Sequence, residues 1–135
     1  QPDLETLCAY LVAEDLDLPL AGAPTNATHA ISGPPGIHLY GSEASAVLQL
    51  PGADVELAPG FTEAMVRFAA RHEYARSVED VLARRSRLLF LDARLAASVA
   101  PRVAAILAEE LGVAFAAGAS LDAFLALAER YSTVP

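Results

Sequence analysis

Residues Phe61–Phe90 read FTEAMVRFAARHEYARSVEDVLARRSRLLF, and how this stretch divides decides the fold. From Thr62 the positions Met65, Phe68, Ala69 and His72 recur at the i, i+3, i+4, i+7 spacing of one helical face. Glu63 stands one turn before Arg67, and the two are expected to pair on another face for roughly 0.3 kcal/mol. Ser77 then precedes Val78-Glu79-Asp80, a serine with an acid three residues on, which resembles a capping box. A second helix is therefore expected, with Val78, Val81, Leu82, Arg85 and Leu89 on one stripe and Asp80, Arg84, Arg87 and Leu91 beside it. Arg85 falls among apolar neighbours. Either its stem packs while its head reaches water, or its guanidinium meets a carboxylate or backbone carbonyls at a packing surface.

The run EAMVRFAARHEYARSVEDVLARRSRLLFLDA carries a family resemblance. Glu63-Ala64-Met65-Val66-Arg67, Arg71-His72-Glu73-Tyr74-Ala75, Val78 through Arg85, Arg87 and Asp92-Ala93 all contribute. Further on, so do Ala100-Pro101, Val103-Ala104 and Glu109-Glu110-Leu111-Gly112, and upstream His38-Leu39-Tyr40-Gly41-Ser42. Together they resemble the C-terminal domain of the FAD-dependent glycerol-3-phosphate dehydrogenase and alpha-glycerophosphate oxidase family. The likeness is specific from Phe61 to Gly112 and looser from Gly33 to Gly60. Beyond Gly112 it weakens, with Val113-Ala114 where a Trp-Asp pair is the family pattern.

A chain of 135 residues is one domain's worth and can bury a core. The net charge is −8, and all nine basic residues are arginines. None precedes Arg67, so the first half is strongly acidic and the second nearly balanced. Nucleic acid and anionic membrane both need clustered cations, and this distribution argues against either as a partner. The single Cys8 permits no internal disulfide, which fits a reducing compartment. No apolar run reaches membrane-spanning length, and no targeting signal is recognisable. The abrupt start inside a helical pattern implies a piece of a longer protein, and the expected compartment is cytoplasmic.

Outward from the central pair, Asp3 can cap a helix carrying Leu4, Leu7, Cys8, Leu11 and Val12. Residues Leu18 to Gly36, rich in Pro and Gly, read as a long irregular loop. Ser42 is expected to cap a short helix to Leu50, ended by Pro51-Gly52, with Ala44, Val47 and Leu48 inward. Val55 and Leu57 alternate as in a brief extended piece, and Pro59-Gly60 signals a turn. Asp92 is the expected N-cap of a long helix to Leu111, closed by Gly112. Pro101 lies inside that span and implies a kink or break near Ser98. Its core face would be Leu95, Val99, Val103, Ile106 and Leu107. Ser120 is expected to cap a last helix ending near Tyr131, with short connections making neighbouring helices antiparallel. Tyr74, Phe90, Phe115 and Tyr131 are expected in the core. The fold expected is all-α: a small multi-helix domain with residues 1–36 as N-terminal helix and loop, and 37–135 as the helical domain proper.

Residues for chemistry are sparse. His72-Glu73 would begin a zinc-protease motif, but Arg76 stands where its second histidine belongs. His29, His38 and His72 have no ligand-like spacing, and no G-x-G-x-x-G marks a dinucleotide site. Neither Ser77 nor Ser86 sits in a nucleophile elbow. No catalytic, cofactor-binding or metal-binding residue is therefore expected.

The resemblance implies a helical, non-catalytic accessory domain of an enzyme that oxidises sn-glycerol 3-phosphate to dihydroxyacetone phosphate. The family passes electrons to quinone or to oxygen, and its FAD and substrate sites lie in the preceding part of the chain. No cofactor is expected on this chain, and FAD is expected in the parent enzyme, peripheral on the cytoplasmic face of the inner membrane. The partner implied is the flavin- and substrate-binding portion of that enzyme, or a second copy in an oligomer. Glu79, Asp80, Arg84, Arg85 and Arg87 are the expected contact surface. Two other readings are a free-standing helical module that binds a partner helix and a small independent helical enzyme or ligand-binding domain.

Overall fold

The computed structural model describes residues 22–23 and 34–133. The helix expected from Asp3, the core position expected for Cys8 and most of the loop up to Gly36 lie outside them. Among the described residues the domain is all-α except for one small hairpin.

A 3-10 segment, Ile37–Glu43, runs into α1, Ala44–Leu48. Gly41 kinks the 3-10 segment from within, with φ 52 and ψ −123, and a Cβ there would lie 2.1 Å from the carbonyl oxygen of Gly22. Only glycine meets both demands. Ser42 does not cap α1. Its N–H donates to Ala23 O, and of the expected inward residues Val47 is buried while Leu48 faces solvent. The alternation at Val55 and Leu57 becomes β1, Glu56–Ala58, which pairs antiparallel with β2, Phe61–Thr62. Pro59 and Gly60 turn the hairpin in the residue order of a type II turn, with Gly60 at φ 72 and its N–H on Glu56 Oε1 at 2.6 Å.

Helix α2, Glu63–His72, begins directly after β2. Met65, Phe68 and Ala69 face inward as their spacing requires, but so does every residue from Glu63 to Ala70. Through Ala70 it is a central helix covered on all sides; in its last turn Arg71 and His72 are exposed, so His72 does not take the inward place its spacing gave it. The helix ends where Glu73 and Ala75 both donate their N–H to Ala69 O, at 3.1 and 3.0 Å, with Tyr74 between them left-handed at φ 57. That conformation turns the Tyr74 ring out to solvent beneath the Arg76 guanidinium, 4.2 Å from its centroid. The core place expected for Tyr74 is thereby excluded.

Ser77 caps the next element through a 3.0 Å bond from Asp80 N–H, while the Asp80 carboxylate accepts from Arg76 N–H at 3.0 Å. The box forms, shifted by one residue on its return arm. From Asp80 to Arg85 the winding is a π-helix, ending with Ser86 N–H on Val81 O at 2.9 Å. Arg87, left-handed at φ 57, then stops it, so the single second helix of the sequence reading is two pieces. The second is α3, Leu88–Leu91. Val78, Val81, Leu82 and Leu89 are buried as their stripe predicts.

Asp92 caps α4, Ala93–Leu111, by accepting from Leu95 N–H at 2.9 Å, and Gly112 ends it at φ 71. Asp92→Ala is expected to lower stability by about 1 kcal/mol in urea unfolding, with an unchanged midpoint contradicting the cap. No break occurs at Ser98. The helix continues through Pro101, whose ring faces solvent, because Ala96, Ala100, Val103 and Ala104 bury both halves against the core. Packing of this kind outweighs one lost backbone bond. The inner face is built on these small residues with Ile106 and Leu107, while Leu95 and Val99 are only partly buried.

A 3-10 turn, Gly112–Ala114, leads to α5, Ala117–Ser132, which folds back on α4. Ser120 lies within α5 instead of capping it, and its Oγ accepts from Val78 N–H at 3.0 Å. It thus closes the start of the π segment from across the fold. Phe124 and Ala128 bury the inner face of α5. Phe115 packs partly against the core, but Phe90 and Tyr131 stay exposed, edge to face at 5.4 Å. A core place for those two is also excluded.

Candidate functional site: a charged seam and a cleft

The first charged assembly joins α2 to α4. Glu63, Arg67 and Arg71 recur every fourth residue along α2. Glu63 accepts from Arg102 at 2.5 and 2.8 Å. Arg67 donates to Glu110 at 2.9 Å and Glu109 at 2.7 Å, and Arg71 forks onto Glu110 at 2.6 and 2.9 Å. Partners advance together along both helices, so α2 and α4 run in the same sense. The Glu63–Arg67 pairing expected from one helix does not form, because each side chain takes a partner on α4. Hydrogen bonds from Arg71 and then Arg67 hold the Glu110 carboxyl below its ordinary range against the effect of burial. The Arg102 bond does the same for Glu63. Three acids answer three arginines, so the seam is neutral and serves as a structural clasp.

The second assembly is a cleft of about 260 Å³ between the 3-10 segment, α2 and the π segment. Met65, Val81, Leu88 and Leu91 give it apolar walls, and Tyr40, Glu43, Glu73 and Arg85 give it a polar corner. The Tyr40 ring stands edge-on to Phe68 at 5.4 Å. Burial, aided by the Glu73 charge, pushes its hydroxyl far above the usual tyrosine range, so it stays protonated. Burial also raises the Glu73 carboxyl; Arg85 opposes this and the Glu43 charge adds to it. Arg85 Nε lies 3.4 Å from Glu73 Oε2. Its other nitrogens donate to Asp80 O at 3.1 Å and to Glu73 O. Of the two readings of Arg85, the one that seats its guanidinium on a carboxylate and carbonyls is realised.

The five residues of the expected contact surface therefore divide. Glu79, Asp80 and Arg84 gather on the outside, with Arg84 at 2.5 Å from Asp80 and 3.0 Å from Glu79. Burial would raise the Asp80 carboxyl, but the bonds from Arg76 N–H, Ser77 and Arg84 hold it low. Arg85 points into the cleft, and Arg87 is exposed at the left-handed break. Sequence reasoning gave no role to Tyr40, Glu43 or Glu73; the signal was an arginine in an apolar stripe, which required acceptors nearby. Among the described residues, no three His, Cys, Asp or Glu side chains could hold a metal ion together, and no helix is long and apolar enough to cross a membrane.

Residues 37–116 match the family model for the C-terminal domain of alpha-glycerophosphate oxidase. The chain is 46% identical over 78 residues to a mitochondrial glycerol-3-phosphate dehydrogenase of Arabidopsis thaliana, covering 54% of this chain and 12% of that protein. It is 44% identical over 52 residues to a mitochondrial glycerol-3-phosphate dehydrogenase of Schizosaccharomyces pombe, covering 38% of this chain and 8% of that protein. The chain thus spans only a small part of the length of these curated relatives. No solved structure matches. Both relatives are mitochondrial, which overturns the cytoplasmic placement expected from the sequence, including that at the cytoplasmic face of an inner membrane. That expectation rested on finding no address in these residues, and a segment matching so little of a longer relative gives no view of one.

Proposed function

Because this chain belongs to the family of the C-terminal domain of alpha-glycerophosphate oxidase, we propose that it is the helical, non-catalytic accessory domain of an FAD-dependent glycerol-3-phosphate dehydrogenase. The whole enzyme oxidises sn-glycerol 3-phosphate to dihydroxyacetone phosphate and passes electrons to quinone. FAD and substrate belong to the rest of the longer chain. This domain packs against that body through Glu79, Asp80, Arg84 and Arg87, with Arg85 anchoring the surface from within.

The observation that carries the reading is the family match over residues 37–116, which runs from the first 3-10 segment through α4 and the turn before α5. The chemistry of the cleft supports it. A dinucleotide pyrophosphate needs free N–H donors or uncommitted cations. Here the corner carries Glu43 and Glu73, and Arg85 is already engaged by Glu73 and two carbonyls. These residues do not fit FAD, and no step of the oxidation is assigned to them. A free-standing interaction module is not favoured, since both relatives carry the matched segment within a much longer protein.

The test is removal of the domain from the full-length enzyme. The shortened protein is expected to retain its flavin, and sn-glycerol 3-phosphate is expected to bleach it. Retained flavin that substrate no longer reduces would show that the domain contributes to chemistry and would overturn the reading.

A further inference from the structure

The cleft takes no part in the α2–α4 seam, and its charge is unbalanced. Glu73 is answered by Arg85, whose two terminal nitrogens each donate to a backbone carbonyl. Glu43 lines the same corner half-buried, with no ion pair or hydrogen bond among the described residues. No Lys or Arg precedes Arg67, so the first half of the chain has no lysine or arginine to neutralise it. The walls beside this acid are apolar, and at the mouth Leu91 and Leu39 are 72% and 57% exposed. From Leu91 the apolar surface continues through Phe90 to Tyr131. An acid at the head of an apolar slot, surrounded by exposed apolar side chains, has the anatomy of an interface anchor point. The π-helix that forms one wall is a geometry often found at functional sites.

We propose that the cleft receives a lysine or arginine side chain from the remainder of the longer enzyme chain. Its aliphatic stem lies along Leu88 and Leu91, and its cationic head sits between Glu43 and Glu73. A long amphipathic side chain matches both the walls and the corner, whereas an anion meets two carboxylates and a neutral apolar group leaves Glu43 unanswered. The identity of the host chain rests on the accessory-domain reading; the preference for an alkyl cation does not.

The cation preference is tested on the 135-residue chain by amide NMR titration with n-hexylguanidinium, with n-hexanol and hexanoate as controls. Saturable shifts are expected at Glu43, Glu73, Leu88 and Leu91 with the guanidinium alone. Glu43→Gln is expected to weaken them about tenfold. Equal responses to hexanol, or unchanged binding in Glu43→Gln, would overturn the proposal. The host is tested in the full-length enzyme, where Glu43→Gln is expected to speed proteolytic release of the domain about tenfold. Unchanged release would overturn the assignment to the longer chain. So would a dimer of the isolated chain that Glu43→Gln abolishes, since a second copy would then be the host. A positive titration alongside a truncated enzyme that substrate cannot reduce would refute the accessory reading while leaving the cation site standing.

Discussion

Phe124→Ala is expected to lower the stability of the chain by about 3–5 kcal/mol. Phe124 is 1% exposed and is the one large side chain that α5 buries fully; Ala128 is the other buried residue there. Leu121 and Leu127 pack only partly against the core. Losing the ring removes its contacts and leaves a cavity in the core where α5 packs on α4. Urea unfolding followed by circular dichroism reads the loss, and Leu125→Ala, at the exposed edge of the same helix, is expected to cost less than about 1 kcal/mol. Equal effects at the two positions would mean that α5 is not held through Phe124.

Glu110→Ala is expected to cost about 2–3 kcal/mol near neutral pH. Its side chain is 9% exposed and receives Arg67 and both arms of the Arg71 fork. Without it the buried Arg67 keeps only Glu109, and its Nε already has no partner among the described residues. Removing one member of a buried pair costs more because the other stays desolvated. Arg71 and Glu109 at the open side screen part of this. The sign with pH follows from the depressed Glu110 and Glu63 carboxyls. Their contribution is complete above the ordinary glutamate value of 4.5 and is lost as pH falls through their lower folded values. Glu73, raised by burial, has the opposite sign: its contribution is present below the ordinary value and is lost as pH rises through its folded value. The gap between wild type and Glu110→Ala in urea is thus expected to narrow from about pH 7 to about pH 3. A constant gap would mean that Glu110 acts by packing and not by charge.

What was legible in the sequence was local. Ser77 with Asp80, Asp92 and Gly112 act within one turn of themselves, and each forms the cap or stop its residue type calls for. The stripe of Val78, Val81, Leu82 and Leu89 survives even the π winding, since one extra residue per turn leaves so short a face together. Arg85 was conspicuous because a guanidinium among apolar positions needs acceptors, and it found them.

What was not legible depends on partners far away in the chain. Glu63 and Arg67 satisfy a helical pair on paper, but residues 39 to 43 positions further on compete better. The same event turns an apparently solvent-facing stripe into a buried seam, so α2 could not be read as central. Ser120 carries the signature of an N-cap and instead serves the Val78 N–H from another helix. Tyr74 is exposed because the end of α2 needs a left-handed residue there, and its ring then follows the backbone outward. The cleft was invisible for the same reason: Tyr40, Glu43, Glu73 and Arg85 meet only once the 3-10 segment and the π segment flank α2.

The account depends on this chain being a folded support that holds no redox group of its own. The most direct measurement is the visible absorbance of the purified 135-residue chain after incubation with FAD and removal of unbound cofactor. A spectrum with no flavin bands, from a chain that circular dichroism shows to be helical, is the result expected. Stoichiometric flavin retained by that chain would contradict it.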